Sequence, residues 1–188
     1  MATHIALLRG INVGGKSMAM ADLRAIAGSL GHADVTTYIQ SGNVLFTTER
    51  ADTAALAAEL EEAIDAALGI RPAVVVLTRD ELAQAVRDNP FPDETNPKAV
   101  HAVFAAAEPD QDTADRVAAT ERAVAERGSR DRARFVGRVL YLHTPDGFGR
   151  SELAVRLSRN AVMSARGGGT ARNWATVTKL LALCDRDA

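Results

Sequence analysis

The chain has 188 residues, 47% of them hydrophobic, and a net charge of −2. This is an ordinary globular composition, long enough for one domain or two small ones with a buried core. The single cysteine, Cys184, excludes an internal disulfide and a cysteine-based zinc site. The first residues have neither the basic region of a signal peptide nor an apolar run long enough to span a membrane. We therefore expect a cytoplasmic protein without a membrane segment.

Charge is distributed unevenly along the chain. Residues 49–126 contain 17 acidic and 7 basic side chains, whereas residues 127–179 contain 11 basic and 3 acidic ones. Such asymmetry can mark an anion-binding face. However, 19 of the 22 basic residues are arginine in an alanine-rich chain, as GC-rich coding alone would produce. The basic region is therefore either part of a site or a solvated surface.

The first half of the chain predicts the element order β-α-β-β-α-β, which is the split βαβ or ferredoxin-like arrangement. The helices are recognised by apolar residues at helical spacing and the strands by β-branched runs. Ser17 is the predicted N-cap of the first helix, and Asp52 and Gly69 limit the second. The predicted elements are a strand at 3–9, a helix from Ser17 to Gly31, strands at 34–39 and 43–47, a helix from Asp52 to Gly69 and a strand at 72–78.

Thr78 and Glu81 form a predicted capping box for a short helix that ends before Asn89-Pro90-Phe91-Pro92. The first pattern then restarts: residues 99–103 repeat residues 2–6 at an offset of 97, and residues 139–141 repeat residues 44–46 at an offset of 95. A duplication is the economical explanation. The repeat departs at its end, where no apolar run matches residues 73–78. A glycine-rich segment and a final helix from Trp174 to Cys184 follow instead.

The predicted fold is therefore α+β, with two ferredoxin-like (split βαβ) subdomains from a duplication and a C-terminal helix. We expect the first subdomain at residues 1–78 and a connector with a helix and prolines at 79–98. Residues 99–188 form the second subdomain, with its divergent end and the last helix.

A glycine-rich loop after the first strand, RGINVGGKS, satisfies the written pattern of a phosphate-binding P-loop with Gly10, Gly15, Lys16 and Ser17. A functional P-loop also needs strand–helix alternation and a strand that ends in a magnesium-binding Asp. Both are missing here, because the nearest Asp, Asp80, is separated from its strand. We therefore expect an anion at the amide groups of the loop, at a helix N-terminus, rather than nucleotide hydrolysis.

Topology predicts that this loop lies beside the hairpin after the second strand, because both leave the same edge of a split βαβ sheet. The GGGTARNW segment, residues 167–174, is expected near the corresponding end of the second sheet. The predicted ligand-binding residues are Arg9, Asn12, Gly14, Gly15, Lys16, Gln40, Ser41, Asn43, Arg172 and Asn173. Each has a structural alternative, since glycines permit tight loops, Ser41 and Asn43 suit a turn, and Asn173 suits a helix cap.

Five motifs in order, RGINVGGK, MADLRA, TYIQSGNV, NPFP and TARNWATVTKL, resemble the bacterial family called domain of unknown function 1697. The resemblance covers nearly the whole chain and implies paired ferredoxin-like subdomains. It brings no established activity. Relatives commonly carry Lys, Arg or Asn at the position of Ser17, so the resemblance implies that this serine is not a magnesium ligand.

Three functions stay open. The first is binding of a small anionic or phosphorylated ligand, with no cofactor and no metal. The second is an enzyme acting on such a ligand, for which Ser41 and Cys184 are the candidate nucleophiles and His4 and His101 the candidate bases. The third is nucleic-acid binding through the arginine-rich third, which is not favoured because the first strand lacks the aromatic residues that stack on RNA bases. The sequence makes no prediction of oligomeric state.

Overall fold

The computed structural model describes residues 2–11, 18–159 and 169–186. Contacts divide the chain into two compact units, Met1–Gln84 together with Lys179–Ala188, and Ala85–Thr178. Each unit contains one four-stranded antiparallel sheet, and the chain ends with a helix. The predicted α+β fold class with two sheets is therefore confirmed. Within the described residues, no helix is long and apolar enough to cross a membrane.

The first unit follows the predicted order β-α-β-β-α-β. Its elements are β1 (His4–Leu8), α1 (Met20–Ser29), β2 (Ala33–Tyr38), β3 (Asn43–Thr47), α2 (Thr53–Leu68) and β4 (Val74–Thr78). The strand order is β2-β3-β1-β4, with every neighbouring pair antiparallel. The two central strands are buried on both faces, with the side chains of Ala6, Leu8, Val44 and Phe46 in one cluster with apolar residues of α1 and α2.

Local capping explains the two limits of α2 and the start of the helix that follows β4. The Asp52 carboxylate accepts from the amides of Ala54 and Ala55 at the start of α2, and Gly69 ends α2 at a φ of 66°. After β4 the chain enters α3 (Arg79–Arg87). The predicted capping box is present there: the Thr78 amide donates to Glu81 at 2.8 Å, and the Glu81 amide donates to the Thr78 hydroxyl at 3.1 Å.

The start of α1 differs from the prediction. The helix begins at Met20, and its N-cap position is Ala19, which makes no side-chain capping hydrogen bond. Ser17 is therefore not the N-cap of α1, whose first amides come from Met20 onwards; Gly14, Gly15 and Lys16 lie outside the described residues. An acidic side chain, Asp22, already lies in the first turn, where it interacts favourably with the helix dipole.

The second unit repeats the topology with strand order β6-β7-β5-β8. Its elements are β5 (Val100–Phe104), α4 (Gln111–Ala125), β6 (Arg132–Val136), β7 (Val139–His143), a 3-10 turn (Phe148–Arg150), α5 (Glu152–Arg159) and β8 (Thr170–Asn173); α6 (Trp174–Cys184) follows. The sequence predicted no fourth strand here. Thr170–Asn173 nevertheless pairs with β5, with Arg172 opposite Ala102.

Strand pairing also corrects the repeat register by one residue. His4 pairs with Phe46 in the first sheet, and its counterpart His101 pairs with Leu142 in the second. Phe46 thus corresponds to Leu142 rather than to Tyr141. Alternate residues of a strand point to opposite faces of its sheet. Tyr141 therefore points to one face of the second sheet, whereas Leu142, the counterpart of Phe46, points to the other.

Candidate functional site

The edge of the first sheet where β1 ends brings two predicted site segments together. The Leu8 amide donates to the Gly42 carbonyl at 2.8 Å, and Leu7 pairs with Asn43. The end of β1, which leads into Arg9, and the Gln40–Asn43 hairpin are therefore adjacent, as topology predicts. Asn12, Gly14, Gly15 and Lys16 lie outside the described residues.

The hairpin at this edge depends on two residues with structural roles. Gly42 has a φ of 70°, and a Cβ there would lie 2.7 Å from Ile11 Cδ1 and 2.8 Å from Leu8 Cβ. Only glycine fits such a close approach in a left-handed conformation. Asn43 is fully buried, and its amide Nδ2 donates to the Tyr38 carbonyl at 3.0 Å, which closes the hairpin. The structure thus gives Asn43 a turn-closing role.

Three other side chains at this edge differ in accessibility. Gln40 and Ser41 are exposed on the hairpin, whereas Arg9 is half-buried. Burial lowers the pKa of the Arg9 guanidinium, which nevertheless stays charged at neutral pH because arginine is so strongly basic. An amide, a hydroxyl and a guanidinium are all hydrogen-bond donors that suit an oxyanion.

The second predicted segment, Arg172 and Asn173, lies in the other unit. Arg172 is 8% exposed, its Nη1 donates to the Thr170 hydroxyl at 2.7 Å and to the Ala171 carbonyl at 2.9 Å, and burial lowers its pKa to about 10. The Asn173 side chain accepts from the Thr176 amide at 2.8 Å and so caps α6. The structure therefore shows Asn173 in the helix-capping role that was the alternative to ligand binding.

The candidate nucleophile Cys184 is fully buried, and burial raises the pKa of its thiol to about 11. A thiol that stays protonated is a poor nucleophile. The other candidate, Ser41, is exposed on the hairpin.

Both candidate bases are packed histidines. His4 stacks on Phe46 at 5.6 Å between ring centroids, and His101 stacks on Phe148 at 4.1 Å. Burial, together with nearby His32, lowers the pKa of His4, and burial lowers that of His101 to about 4. Both imidazoles are therefore neutral at physiological pH. Among the described residues, no cluster of three or more His, Cys, Asp or Glu side chains could hold a metal.

A cavity of about 290 Å³ was not predicted from the sequence. It lies in the second unit and is lined by Pro90, Phe91, Pro92, Asp93, Glu94 and His143. In the sequence, the Asn-Pro-Phe-Pro run indicated only a helix end and a family motif. His143 is distant in sequence from that run, so no local pattern connects the two.

Comparisons with known proteins agree with the fold. No match is found among curated proteins. The structure of the conserved bacterial protein SP0830 from Streptococcus pneumoniae is similar, with a TM-score of 0.75 and 21% sequence identity over 99% of each chain. The family model described as "Protein of unknown function (DUF1697)" matches residues 1–141, which confirms the resemblance seen in the motifs. The chain therefore belongs to the DUF1697 family.

Proposed function

We propose that the protein binds a small anionic or phosphorylated ligand at the edge of the first sheet, through Arg9, Gln40 and Ser41. The observation that carries this proposal is the hydrogen bond from the Leu8 amide to the Gly42 carbonyl, which sets the end of β1 beside the hairpin. The half-buried guanidinium of Arg9, on the segment that follows β1, and the exposed amide and hydroxyl of the adjacent hairpin would supply a directional set of donors. The ligand would span residues far apart in sequence.

The remaining predicted site residues contribute to the proposal unequally. Asn43 and Asn173 have structural hydrogen bonds, so we assign them no ligand contact. Gly14, Gly15 and Lys16 lie outside the described residues, so their contribution stays a prediction from the sequence. Participation of Arg172 in the same site stays a prediction, and the binding assay below tests it separately.

The binding test compares wild type with Arg9→Gln in isothermal titrations of inorganic phosphate, sulfate and a sugar phosphate. Loss of a charge-assisted hydrogen bond worth about 1.5–3 kcal/mol should weaken binding tenfold or more. Arg24→Gln is the matched control, because Arg24 is an exposed arginine of the same unit that donates to Thr37. Native mass spectrometry of freshly purified protein would identify a retained metabolite.

Equal affinity of wild type and Arg9→Gln for these anions would contradict the proposal. So would an Arg9→Gln variant that unfolds while no anion raises the melting temperature of the wild-type protein, since Arg9 would then be part of the scaffold. The variants Gln40→Ala and Arg172→Met show whether the hairpin and the second segment contribute.

The enzyme alternative has less support from the described residues. Its thiol is buried and protonated, and its two candidate bases are packed neutral imidazoles. Nucleotide hydrolysis is disfavoured further by the antiparallel pairing in both sheets, since P-loop enzymes use strand–helix alternation around parallel strands.

Nucleic-acid binding is also less well supported. Recognition of RNA on a four-stranded sheet needs an accessible face with aromatic residues. Here all five residues of β1, and four of five in β3, are buried. Several arginines of the basic region also pair locally: Arg134 with Glu121 at 2.6 Å, Arg130 with Asp146 at 2.5 Å and Arg156 with Glu152 at 2.7 Å.

For the fold itself we propose two ferredoxin-like subdomains that arose by duplication, with the predicted limits at 1–78 and 99–188. Both sheets place their four strands in the same relative order. The histidines of the two first strands, His4 and His101, also occupy corresponding positions and each stacks on a phenylalanine. Expression of residues 1–78 alone, followed by circular dichroism, tests whether the first subdomain folds independently.

A further inference from the structure

The cavity in the second unit is built by a rigid turn packed against the end of β7. The side chain of Asn89 accepts from the Phe91 amide at 3.0 Å, and the Glu94 amide donates to the Phe91 carbonyl at 3.3 Å. Pro90 and Pro92 restrict the backbone on either side of Phe91. The Phe91 ring stacks on the His143 imidazole at 5.2 Å between centroids. These contacts position Phe91 as the apolar wall of the cavity.

The polar side of the cavity is equally well defined. His143 Nε2 lies 2.7 Å from Glu94 Oε2, and Glu94 Oε1 accepts from the Asn96 amide at 2.8 Å. The Asn96 amide, followed by His143, lowers the pKa of Glu94, so this carboxyl is ionised at neutral pH. An imidazole that donates from Nε2 to a carboxylate keeps Nδ1 as an acceptor in its neutral form.

The charge and size of the cavity select a class of ligand. The lining includes two carboxylates, the exposed Asp93 and the Glu94 that pairs with His143, while Phe91 and the two prolines supply apolar surface. An electronegative cavity with an aromatic wall favours a cation with an apolar body. A volume of about 290 Å³ is at the lower limit for small-molecule sites.

We propose that the cavity formed by Pro90, Phe91, Pro92, Asp93, Glu94 and His143 binds a small organic cation, with an ammonium group on the Asp93–Glu94 side and its apolar part against Phe91. This site is independent of the proposed anion site, because it lies in the other unit and selects the opposite charge. The ammonium group belongs either to a free amine or to a lysine side chain, because both present the same charged group.

Benzylamine is the probe, because its ring and ammonium match the two sides of the cavity. Benzoate and benzyl alcohol have the same ring with opposite and zero charge. Titration of full-length protein, followed by NMR shifts of the Phe91 and His143 rings, should show saturable binding of benzylamine and at least tenfold weaker binding of the other two. A blocked lysine tripeptide is titrated in parallel. Tighter binding of benzylamine would indicate a free amine as the ligand, and tighter binding of the tripeptide would indicate a lysine side chain.

Asp93→Asn and Glu94→Gln should each weaken benzylamine about tenfold, whereas Glu108→Gln, which alters an exposed carboxylate of the same unit, should leave binding unchanged. Asp93 is exposed, so its variant is expected to fold even if Glu94→Gln loosens the turn. Equal binding of benzylamine and benzoate, or unchanged affinity in a folded Asp93→Asn variant, would overturn the proposal. Absence of ring shifts with benzylamine would overturn it as well.

Discussion

The fourth strands of the two sheets reach the same topological position with opposite chemistry. In the first sheet, β4 is the apolar run Val74–Thr78, with four of its five residues buried. In the second sheet, β8 is Thr170–Asn173, a polar segment that buries the guanidinium of Arg172. The difference teaches that a strand position can be held by backbone pairing and side-chain hydrogen bonds where apolar burial is missing.

Two further observations explain how the polar strand is held. A Cβ at Gly169 would overlap the Phe104 carbonyl oxygen and lie 2.7 Å from its carbon, so the chain enters β8 in direct contact with β5. Arg172 then satisfies the Thr170 hydroxyl and the Ala171 carbonyl. The apolar strand β4 needs neither a close glycine contact nor a buried arginine. Substitution of Gly169 or Arg172 should therefore lower the stability of the protein.

The largest effect is expected for Gly169→Ala, because its methyl group meets backbone atoms that cannot move aside. Overpacking of this kind costs about 1–3 kcal/mol or more in the free energy of unfolding. Chemical denaturation followed by circular dichroism measures it. Gly149→Ala is the control, since its Cβ would meet nothing within 4 Å. Equal stability of the two variants would show that β8 does not depend on this close approach.

Arg172→Met should destabilise the protein by about 1–3 kcal/mol, because it removes two hydrogen bonds while keeping the apolar stem. The measurement is urea unfolding with and without phosphate. A fully stable Arg172→Met variant that no longer binds phosphate would instead assign Arg172 to the ligand.

His101→Phe should flatten the acid side of the stability curve. Burial lowers the His101 pKa from 6.5 to about 4, so the unfolded state binds more protons than the folded state between these values. The free energy of unfolding therefore falls as the pH drops from 6.5 towards 4 and is unaffected by this group above 6.5. Phenylalanine keeps the stack on Phe148 and cannot titrate. Urea unfolding of wild type and His101→Phe should give stability curves that run parallel above pH 6.5 and diverge between pH 6.5 and 4; curves that stay parallel down to pH 4 would refute the assignment.

The smallest effect is expected for Ser17→Ala, which should leave the rate of ATP or GTP hydrolysis unchanged. Among the described residues the sheets are antiparallel and Asp80 is separated from β4, so the strand-end Asp with which a P-loop enzyme holds magnesium is not found there. A phosphate-release assay with ATP and GTP is the measurement. A large loss of turnover in a folded variant would show that the loop is catalytic after all.

Local signals predicted much of this fold, and long-range packing determined what they missed. Short-range hydrogen bonds and dihedral preferences can be predicted from sequence. They account for the capping box at Thr78 and Glu81, the Asp52 cap and the end of α2 at Gly69. Strand β8 is not, because Thr-Ala-Arg-Asn has no apolar alternation and is stabilised by pairing with a strand about 70 residues earlier. The sequence repeat aligned Phe46 with Tyr141 instead of Leu142. This one-residue error arose because similarity between short apolar segments does not determine strand register.

The candidate site was predictable only in part, for the same reason. Strand order alone placed Arg9 beside the hairpin, since topology determines which loops share an edge. The roles of Asn43 and Arg172 depend on burial, which no spacing reveals. The Glu94–His143 pair was missed because its members are 49 residues apart.

Burial of Cys184 gives the protein an intrinsic reporter of its own opening. The chain has a single thiol, which is fully buried at the end of α6 with a pKa raised to about 11. A thiol reagent can therefore modify the protein only when this helix end detaches or the unit unfolds. Labelling rates would measure the frequency of that event in the unmodified sequence, and a bound ligand that tightens the first unit would slow them.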